Sequence, residues 1–151
     1  MHDYVPFYLG PRSPMLLRLH TGQVAGYEDR QDPLIYLIST VERVGAAGLG
    51  FVFSNGHGFA RFTGWFDDPS RLDTDVDWAA VYARQWNDTP EDPDRQRRKQ
   101  AEFLVHRFCP WELIDGVAVV STAMEDCVTE IFAGVDAGLG RPVEIRTDWY
   151  Y

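Results

Sequence analysis

Short apolar runs separated by polar segments follow one another along the chain, and each run has the length of one strand or one short helix. Continuous apolar runs predict buried strands, whereas apolar residues three or four positions apart predict helices with one apolar face. The first pattern predicts strands over residues 2–8, 34–39, 51–53, 102–108, 117–120 and 143–151. The second pattern, together with capping signals, predicts helices over residues 15–20, 41–48, 58–66, 75–86 and 122–133. This mixture predicts an α+β fold, and the length of 151 residues predicts one domain over residues 1–151.

Three of the predicted helices carry more specific signals. Thr40 is a favourable cap for the helix over residues 41–48. Thr122 and Glu125 have the spacing of a capping box at the start of the last helix. Within residues 58–66, Phe59 and Phe62 lie three positions apart, so we expect them to form an ordinary core face.

Composition narrows the class of protein. The hydrophobic content of 45% and the aromatic content of 14% indicate a globular protein. No apolar run approaches the roughly 20 residues of a membrane helix, and the first residues lack the pattern of a signal peptide. The four histidines and two cysteines make no spacing typical of a metal site. We therefore expect a cytoplasmic protein that holds no metal and does not enter a membrane.

The charge distribution points to one segment of the chain. The net charge is −9, yet the acids concentrate over residues 67–94 and the bases follow directly over residues 95–107. Inside the basic segment, Glu102 opens the apolar strand, where period-two geometry places it on one face with Leu104 and His106. Burying an unpaired charge is costly, so Glu102 must either form an ion pair or take part in function. A structural ion pair with a nearby arginine and a catalytic role are the two alternatives.

Three stretches of the chain are distinctive: VPFYLGPRSPM near the start, WNDTPEDPDRQRRKQAEFLVHRFCPWEL in the middle and DWYY at the end. Together they resemble the DarT family (DUF4433), bacterial toxins that ADP-ribosylate DNA. The resemblance covers nearly the whole chain, and the middle motif is long and specific. It implies an ADP-ribosyltransferase fold with a split central β-sheet, which holds NAD in a cleft. It also implies that Glu102, in the AEFLV strand, is the catalytic glutamate.

The same resemblance indicates which residues contact NAD. Tyr8, Arg12 and Ser13 lie in the FYLGPRSPM motif, where glycine and proline can fix a tight loop with its arginine in a cleft. A structural turn with a surface arginine is the alternative. His57 is assigned to the NAD site because NGHG resembles the family's DGHA-type turn, from which it departs. The remaining histidines that the motifs do not support, His20 and His106, are assigned to structure.

The segment before the glutamate indicates a DNA site, because in the family it recognises the target thymidine. Here that segment covers residues 66–100. Trp86 suits stacking on a base and Asn87 suits reading a base edge in single-stranded DNA, although core packing is the alternative for Trp86. The cations predicted to contact DNA phosphates are Arg95, Arg97, Arg98 and Lys99. A solvated face that neutralises the preceding acids is the alternative for this run.

Two functions follow from these assignments. The first is transfer of ADP-ribose from NAD to thymidine bases of single-stranded DNA, by the toxin of a toxin–antitoxin pair whose partner is a DarG-like macrodomain antitoxin. The second is a non-catalytic or truncated DarT-like chain that binds DNA or an antitoxin without turnover. Family members have further sequence before the HDYVPFY stretch, and Met1 stands directly before it here. We therefore expect this chain to lack the N-terminal segment of the family and to bind NAD weakly.

Overall fold

The computed structural model of the protein describes residues 3–151, so His2, the start of the first predicted strand, lies outside the described residues. The strands are β1 (Tyr4–Tyr8), β2 (Tyr36–Ile38), β3 (Phe51–Ser54), β4 (Trp65–Phe66), β5 (Glu102–His106), β6 (Gly116–Val119) and β7 (Val143–Ile145). The α-helices are α1 (Pro14–His20), α2 (Val41–Ala46), α3 (Leu72–Asp75), α4 (Trp78–Tyr82), α5 (Arg95–Lys99) and α6 (Thr122–Ala133). Short 3₁₀ turns cover Pro69–Arg71, Trp111–Leu113 and Thr147–Trp149.

These elements cluster into two compact units. The first comprises Met1–Pro14 with Val44–Cys109, and the second comprises Met15–Arg43 with Pro110–Tyr151. Each unit contains one sheet, and strands and helices are mixed in both. The α+β class predicted from the sequence is confirmed, and the two sheets agree with the expected split. The single domain over residues 1–151 stays a prediction.

The sheet of the first unit is antiparallel, with the strand order β1-β5-β3-β4. The apolar run that predicted β5 supplies its buried centre, in which Phe103 and Val105 point to one face. On that face the ring of Phe103 stacks on Phe51 with centroids 4.8 Å apart, and Phe53 packs against Phe66 at 5.3 Å. The other face of β5 carries Glu102, so the aromatic core fixes the strand that presents the carboxylate.

The sheet of the second unit has the order β2-β6-β7, with β6 parallel to β7. Helix α6 packs on it through Val128, which forms a buried cluster with Val117 and Val119 of β6. The cap of α6 is Ser121, whose hydroxyl accepts a hydrogen bond from the Met124 N–H. The predicted capping box was therefore wrong by one position, since Thr122 already lies inside the helix.

The predicted helix over residues 58–66 was wrong. That segment is a turn leading into β4, and Phe59 and Phe62 are each 83% exposed, where we had expected a core face. The physical reason is the pairing of β4 with β3, which requires the chain to reverse direction within a few residues. The Asn55 side chain closes this reversal by accepting a hydrogen bond from the Gly64 N–H at 2.9 Å.

Other predicted elements are present but shorter than expected. The helix predicted over residues 75–86 reduces to α4, because the Asp77 carboxylate caps a new start by accepting from the Ala80 N–H at 3.0 Å. Strand β5 ends at His106, since Arg107 adopts the left-handed conformation with φ 64°. The strands predicted over residues 34–39 and 143–151 each shrink to three residues, and Leu37 of β2 is exposed.

Candidate active site

Glu102 is held in place by hydrogen bonds with two residues of the first unit, Gly58 and Ser54. One carboxylate oxygen, Oε1, accepts a hydrogen bond from the Gly58 N–H at 3.1 Å. The backbone N–H of Glu102 donates to the Ser54 hydroxyl at 3.0 Å, and that buried hydroxyl donates to the Gly56 carbonyl at 2.6 Å. The carboxylate is thus fixed from its own backbone and from the turn that follows β3.

Over residues 3–151, the structure does not contain the ion pair that was one of the two alternatives for Glu102. Among residues 3–151, no arginine, lysine or histidine forms a salt bridge with Glu102. The carboxylate is half-buried and its charge is oriented by a backbone N–H. Such a group is available to stabilise positive charge on a bound molecule.

Tyr8 lies directly opposite Glu102 in the β1–β5 ladder. Opposed residues of an antiparallel pair project to the same face, so both side chains belong to one surface. Burial raises the pKa of the Tyr8 hydroxyl, the negative charge of Glu102 adds to this, and a hydrogen bond with Ser13 partly offsets it. Two of the residues predicted to contact NAD, Tyr8 and Ser13, are therefore brought together beside the predicted catalytic glutamate.

Arg12 occupies an unusual backbone position in the loop between β1 and α1. Its φ is 59°, in the left-handed region that residues other than glycine rarely adopt. Such strain persists only where the surroundings determine the conformation, and it often accompanies functional sites. The structure thus supports a tight loop that carries the predicted arginine, while its contact with NAD stays a prediction.

Lys99 holds this loop, and its contacts within the fold give its predicted contact with DNA phosphate no support. Its side chain is 4% exposed, and the ammonium donates to three backbone carbonyls: Pro11 at 2.9 Å, Val81 at 2.5 Å and Ala83 at 3.2 Å. Burial lowers the pKa of Lys99 to about 8, and the positive charge of Arg12 adds to the effect. Nothing in the local sequence distinguishes Lys99 from the arginines beside it, although it is the only lysine in the chain.

The loop is also packed tightly against helix α4. A Cβ atom at Gly10 would lie 2.6 Å from Cγ1 of Val81 and 3.0 Å from its carbonyl oxygen. Only glycine fits so close to another backbone. The Val81 carbonyl is one of the Lys99 acceptors, so packing at Gly10 and hydrogen bonding at Lys99 fix the same junction.

His57 stands at the turn that reaches Glu102. Its N–H donates to the Arg97 carbonyl at 2.9 Å, and its carbonyl accepts from the Thr63 hydroxyl at 2.7 Å. Ring atom Nδ1 accepts from the Phe59 N–H at 3.2 Å. The residue that follows, Gly58, is the one that contacts Glu102, and the contact of His57 with NAD stays a prediction.

The positive charges of Arg97 and Arg98 are paired with aspartates of the same unit. Arg97 forms two hydrogen bonds of 2.7 Å with Asp94, and its Nη1 reaches the Thr63 hydroxyl at 3.2 Å. Arg98 forms ion pairs with three carboxylates, those of Asp77, Asp92 and Asp94. This arrangement matches the alternative in which the basic run neutralises the preceding acids.

The residues predicted to bind DNA therefore differ in the exposure of their side chains and in whether their charges are already paired. Trp86 is 6% exposed, so its indole packs in the core, and stacking on a base would need an exposed face that this side chain lacks. Asn87 is exposed and Arg95 is partly exposed. Contact of Asn87 and Arg95 with DNA stays a prediction, and the contacts of Arg97 and Arg98 give their assignment to DNA no support.

A cavity of about 330 Å³ lies on the sheet of the first unit. Its lining residues are Tyr4, Val52, Trp65 and Leu104. Leu104 shares a face of β5 with Glu102, and Val52 lies opposite Leu104 in the ladder. The surface that carries the carboxylate thus continues into an apolar hollow. Among residues 3–151, no group of three or more histidine, cysteine, aspartate or glutamate side chains is placed to hold a metal ion.

None of the helices described over residues 3–151 is both long and apolar enough to cross a membrane.

Comparison with known proteins decides the family. The sequence matches, over residues 1–151, the family described as "ssDNA thymidine ADP-ribosyltransferase, DarT". The chain belongs to the DarT family. A curated relative from Thermus sp. (strain 2.9), named DNA ADP-ribosyl transferase, is 40% identical over 151 residues, which is 100% of this chain and 70% of the relative.

Solved structures of DarT proteins have the same fold. Thermus sp. 2.9 DarT in complex with NAD+ matches with a TM-score of 0.91 at 40% identity, over 99% of this chain and 73% of that one. Thermus sp. 2.9 DarT in complex with ADP-ribosylated ssDNA matches with a TM-score of 0.91 at 41% identity, over 99% of this chain and 69% of that one. The predicted family and its ADP-ribosyltransferase fold are confirmed, and the predicted co-substrate, NAD, is the molecule bound in the first of these relatives.

Proposed function

We propose that this chain transfers ADP-ribose from NAD to thymidine bases of single-stranded DNA. The observation that carries the proposal is the Glu102 carboxylate, which is oriented by the Gly58 N–H and forms no salt bridge with any residue over 3–151. Membership of the DarT family and the likeness to a DarT structure with ADP-ribosylated ssDNA support the choice of substrates.

The chemistry requires a fixed negative charge near a ribose. The bond between nicotinamide and ribose breaks, and nicotinamide leaves with the bonding electrons. A ring nitrogen of thymine then bonds to the same ribose carbon and loses its proton. Positive charge develops on the ribose in between, and a preorganised carboxylate stabilises it more strongly in a half-buried site than in water. Glu102 supplies that charge, Tyr8 shares its face of the sheet, and Ser13 forms a hydrogen bond with Tyr8.

The Arg12 loop has the complementary role in this proposal. Arginine binds phosphate through a planar fork of N–H donors, so Arg12 is suited to the pyrophosphate of NAD. Lys99 positions the loop through the Pro11 carbonyl, one residue before Arg12. Fixing the co-substrate in one geometry accounts for a large share of the rate in transfer reactions.

The test compares substrates and one isosteric variant. Labelled NAD is incubated with matched single strands that contain or lack thymidine, with the corresponding duplex and with protein. We expect label only on thymidine-containing single strands. Glu102→Gln should keep the fold and lower transfer by at least a hundredfold, which corresponds to about 3 kcal/mol. The matched control is Glu130→Gln, an exposed glutamate of α6. Label on protein alone, or full activity of Glu102→Gln, contradicts the proposal.

We also propose that the chain acts as the toxin of a toxin–antitoxin pair, with a DarG-like macrodomain protein that removes the modification. Membership of the DarT family supports this role. Expression of the wild-type chain should arrest bacterial growth, whereas expression of Glu102→Gln should not. Co-expression of a macrodomain hydrolase should restore growth and remove the label from DNA. Growth arrest by Glu102→Gln equal to that of the wild type would contradict the proposal.

A further inference from the structure

Two phenylalanines project into solvent beside Glu102, on a loop that the proposed chemistry does not use. The loop covers residues 58–63 and is called here the aromatic loop. Phe59 and Phe62 are each 83% exposed, and Arg61 between them is also exposed. The two side chains lie three residues apart on one loop, and neighbouring exposed apolar groups mark interaction surfaces more often than isolated ones do.

The base of the aromatic loop is held by several hydrogen bonds. The His57 carbonyl accepts from the Ala60 N–H at 3.0 Å and from the Thr63 hydroxyl at 2.7 Å. Asn55 accepts from the Gly64 N–H at 2.9 Å, and the Arg97 guanidinium reaches the Thr63 hydroxyl. A loop that is already ordered loses little conformational entropy on binding, so its exposed rings can contribute fully to affinity.

The loop begins at the proposed catalytic carboxylate. Gly58 donates its N–H to Glu102 Oε1, and Phe59 is the next residue, with its Cα about 3.8 Å farther along the chain. A thymidine that reaches the ribose beside Glu102 therefore brings its neighbouring nucleotides to the aromatic loop. The rings of Phe59 and Phe62 are the exposed aromatic groups on this loop, whereas Trp86 is buried.

The aromatic loop carries one cation that no carboxylate over residues 3–151 neutralises. Arg97 and Arg98 are neutralised by aspartates, but Arg61 forms no salt bridge with any residue over 3–151. The chain as a whole has a net charge of −9, so general attraction to phosphate is weak. Binding of single strands must then depend on stacking, with a local cation for the backbone.

We propose that Phe59 and Phe62, with Arg61 between them, form a stacking platform for the bases that flank the modified thymidine in single-stranded DNA. This inference rests on the proposed function, because it takes single-stranded DNA as the substrate. Phe59 and Phe62 supply the two ring faces, and Arg61 contacts one phosphate of the strand. Stacking contacts the face of a base and not its edge, so the two rings do not by themselves select a flanking base.

The experiment measures binding and transfer separately. Affinity for a fluorescent thymidine-containing 10-nucleotide strand is measured by anisotropy without NAD, for the wild type, Phe59→Ala, Phe62→Ala and the rescue variants Phe59→Trp and Phe62→Trp. We expect each alanine variant to weaken binding about tenfold and each tryptophan variant to restore it. Phe108→Ala is the matched control, since Phe108 is 66% exposed outside the loop.

Removing a flanking base from the DNA tests the same stacking contact by changing the nucleic acid instead of the protein. An abasic site next to the thymidine should weaken binding by the wild type about tenfold, but should have little further effect on Phe59→Ala or Phe62→Ala, because their stacking partner is already lost. Arg61→Gln should instead reduce the dependence of log affinity on log salt concentration by about 0.7, the value for one phosphate of a single strand.

The outcomes separate this inference from the proposed function. Wild-type affinity and wild-type KM for DNA in both alanine variants overturn the platform and leave the transferase proposal intact. Absence of transfer by the wild type, with affinity that still depends on Phe59 and Phe62, overturns the transferase proposal alone. Variants that change the oligomeric state of the protein and not its affinity for DNA overturn the platform in favour of self-association. A wild-type chain that binds no single-stranded DNA overturns both.

Discussion

The stability of the folded chain should increase when the pH is raised through the range in which Lys99 loses its proton. Its pKa is about 8 in the folded state, below its ordinary value of 10.5, because burial disfavours the charged ammonium. Between these two values the unfolded chain binds more protons at this position than the folded chain does. The free energy of unfolding therefore increases with pH in this window. Below pH 8, where both states are protonated, the full cost of burying the charge is present.

The size of the effect follows from the separation of the two pKa values. Each pKa unit corresponds to about 1.4 kcal/mol, so complete loss of the proton from the folded state stabilises the chain by about 3 kcal/mol. Tyrosines and cysteines also titrate at alkaline pH, and the variant Lys99→Met removes their contribution by difference. The comparison uses urea unfolding of wild type and Lys99→Met at half-unit steps from pH 7 to 10.5. The wild-type curve should rise relative to that of the variant by about 3 kcal/mol.

A direct titration checks the same claim without unfolding. Lys99 is the only lysine in the 151-residue sequence, so protein labelled with ¹³C at lysine Cε gives one side-chain resonance. Its chemical shift should titrate near pH 8 in the folded protein and near the ordinary value after denaturation. A folded-state pKa at or above 10.5, together with parallel stability curves for wild type and Lys99→Met, would refute the reasoning. It would show that the three carbonyl acceptors outweigh desolvation.

Two further substitutions test the support of the active site, with one control. Gly56→Ala should destabilise the chain by about 2 kcal/mol in urea unfolding, because its Cβ would lie 2.9 Å from the Arg97 carbonyl oxygen. The control Gly45→Ala, in an open position of α2, should stabilise the chain by about 0.5 kcal/mol, and equal effects of the two would contradict the packing argument. Ser54→Ala should lower the free energy of unfolding by about 2 kcal/mol and also lower the transfer rate, because the Glu102 N–H loses its buried acceptor. An unchanged transfer rate would show that Ser54 does not position the carboxylate.

Strand β5 and its glutamate could be predicted from the sequence because the information is local. An apolar run of the right length specifies a buried strand, and a carboxylate at its start must then be paired or used. Glu102 occupies the first residue of β5, and its position opposite Tyr8 follows from the pairing of two predicted strands. The FYLGPRSPM motif pointed to the loop because glycine and proline restrict the backbone whatever surrounds them.

The features that could not be predicted depend on contacts between distant segments. The spacing of Phe59 and Phe62 fits a helix, but the pairing of β4 with β3 overrides that local preference. Lys99 looks like any member of a basic run until α4 and the Gly10–Pro14 loop bring three carbonyls to it. From the sequence, Trp86 could equally stack on a base or pack in the core, and only its burial in the structure distinguishes these two roles.

Because Lys99 is buried, proteolytic cleavage at this residue can report local unfolding of the chain. A protease that cuts only after lysine has one site in the sequence, and the ammonium it must recognise is bound to the carbonyls of Pro11, Val81 and Ala83. Cleavage therefore requires at least local unfolding of α5 and the segments that surround it. When opening and closing are fast relative to cutting, the rate of this single cut measures the population in which the loop before Arg12 is released. Molecules that stabilise the loop should then protect the chain from digestion, so protease protection can be used to screen for compounds that bind this site.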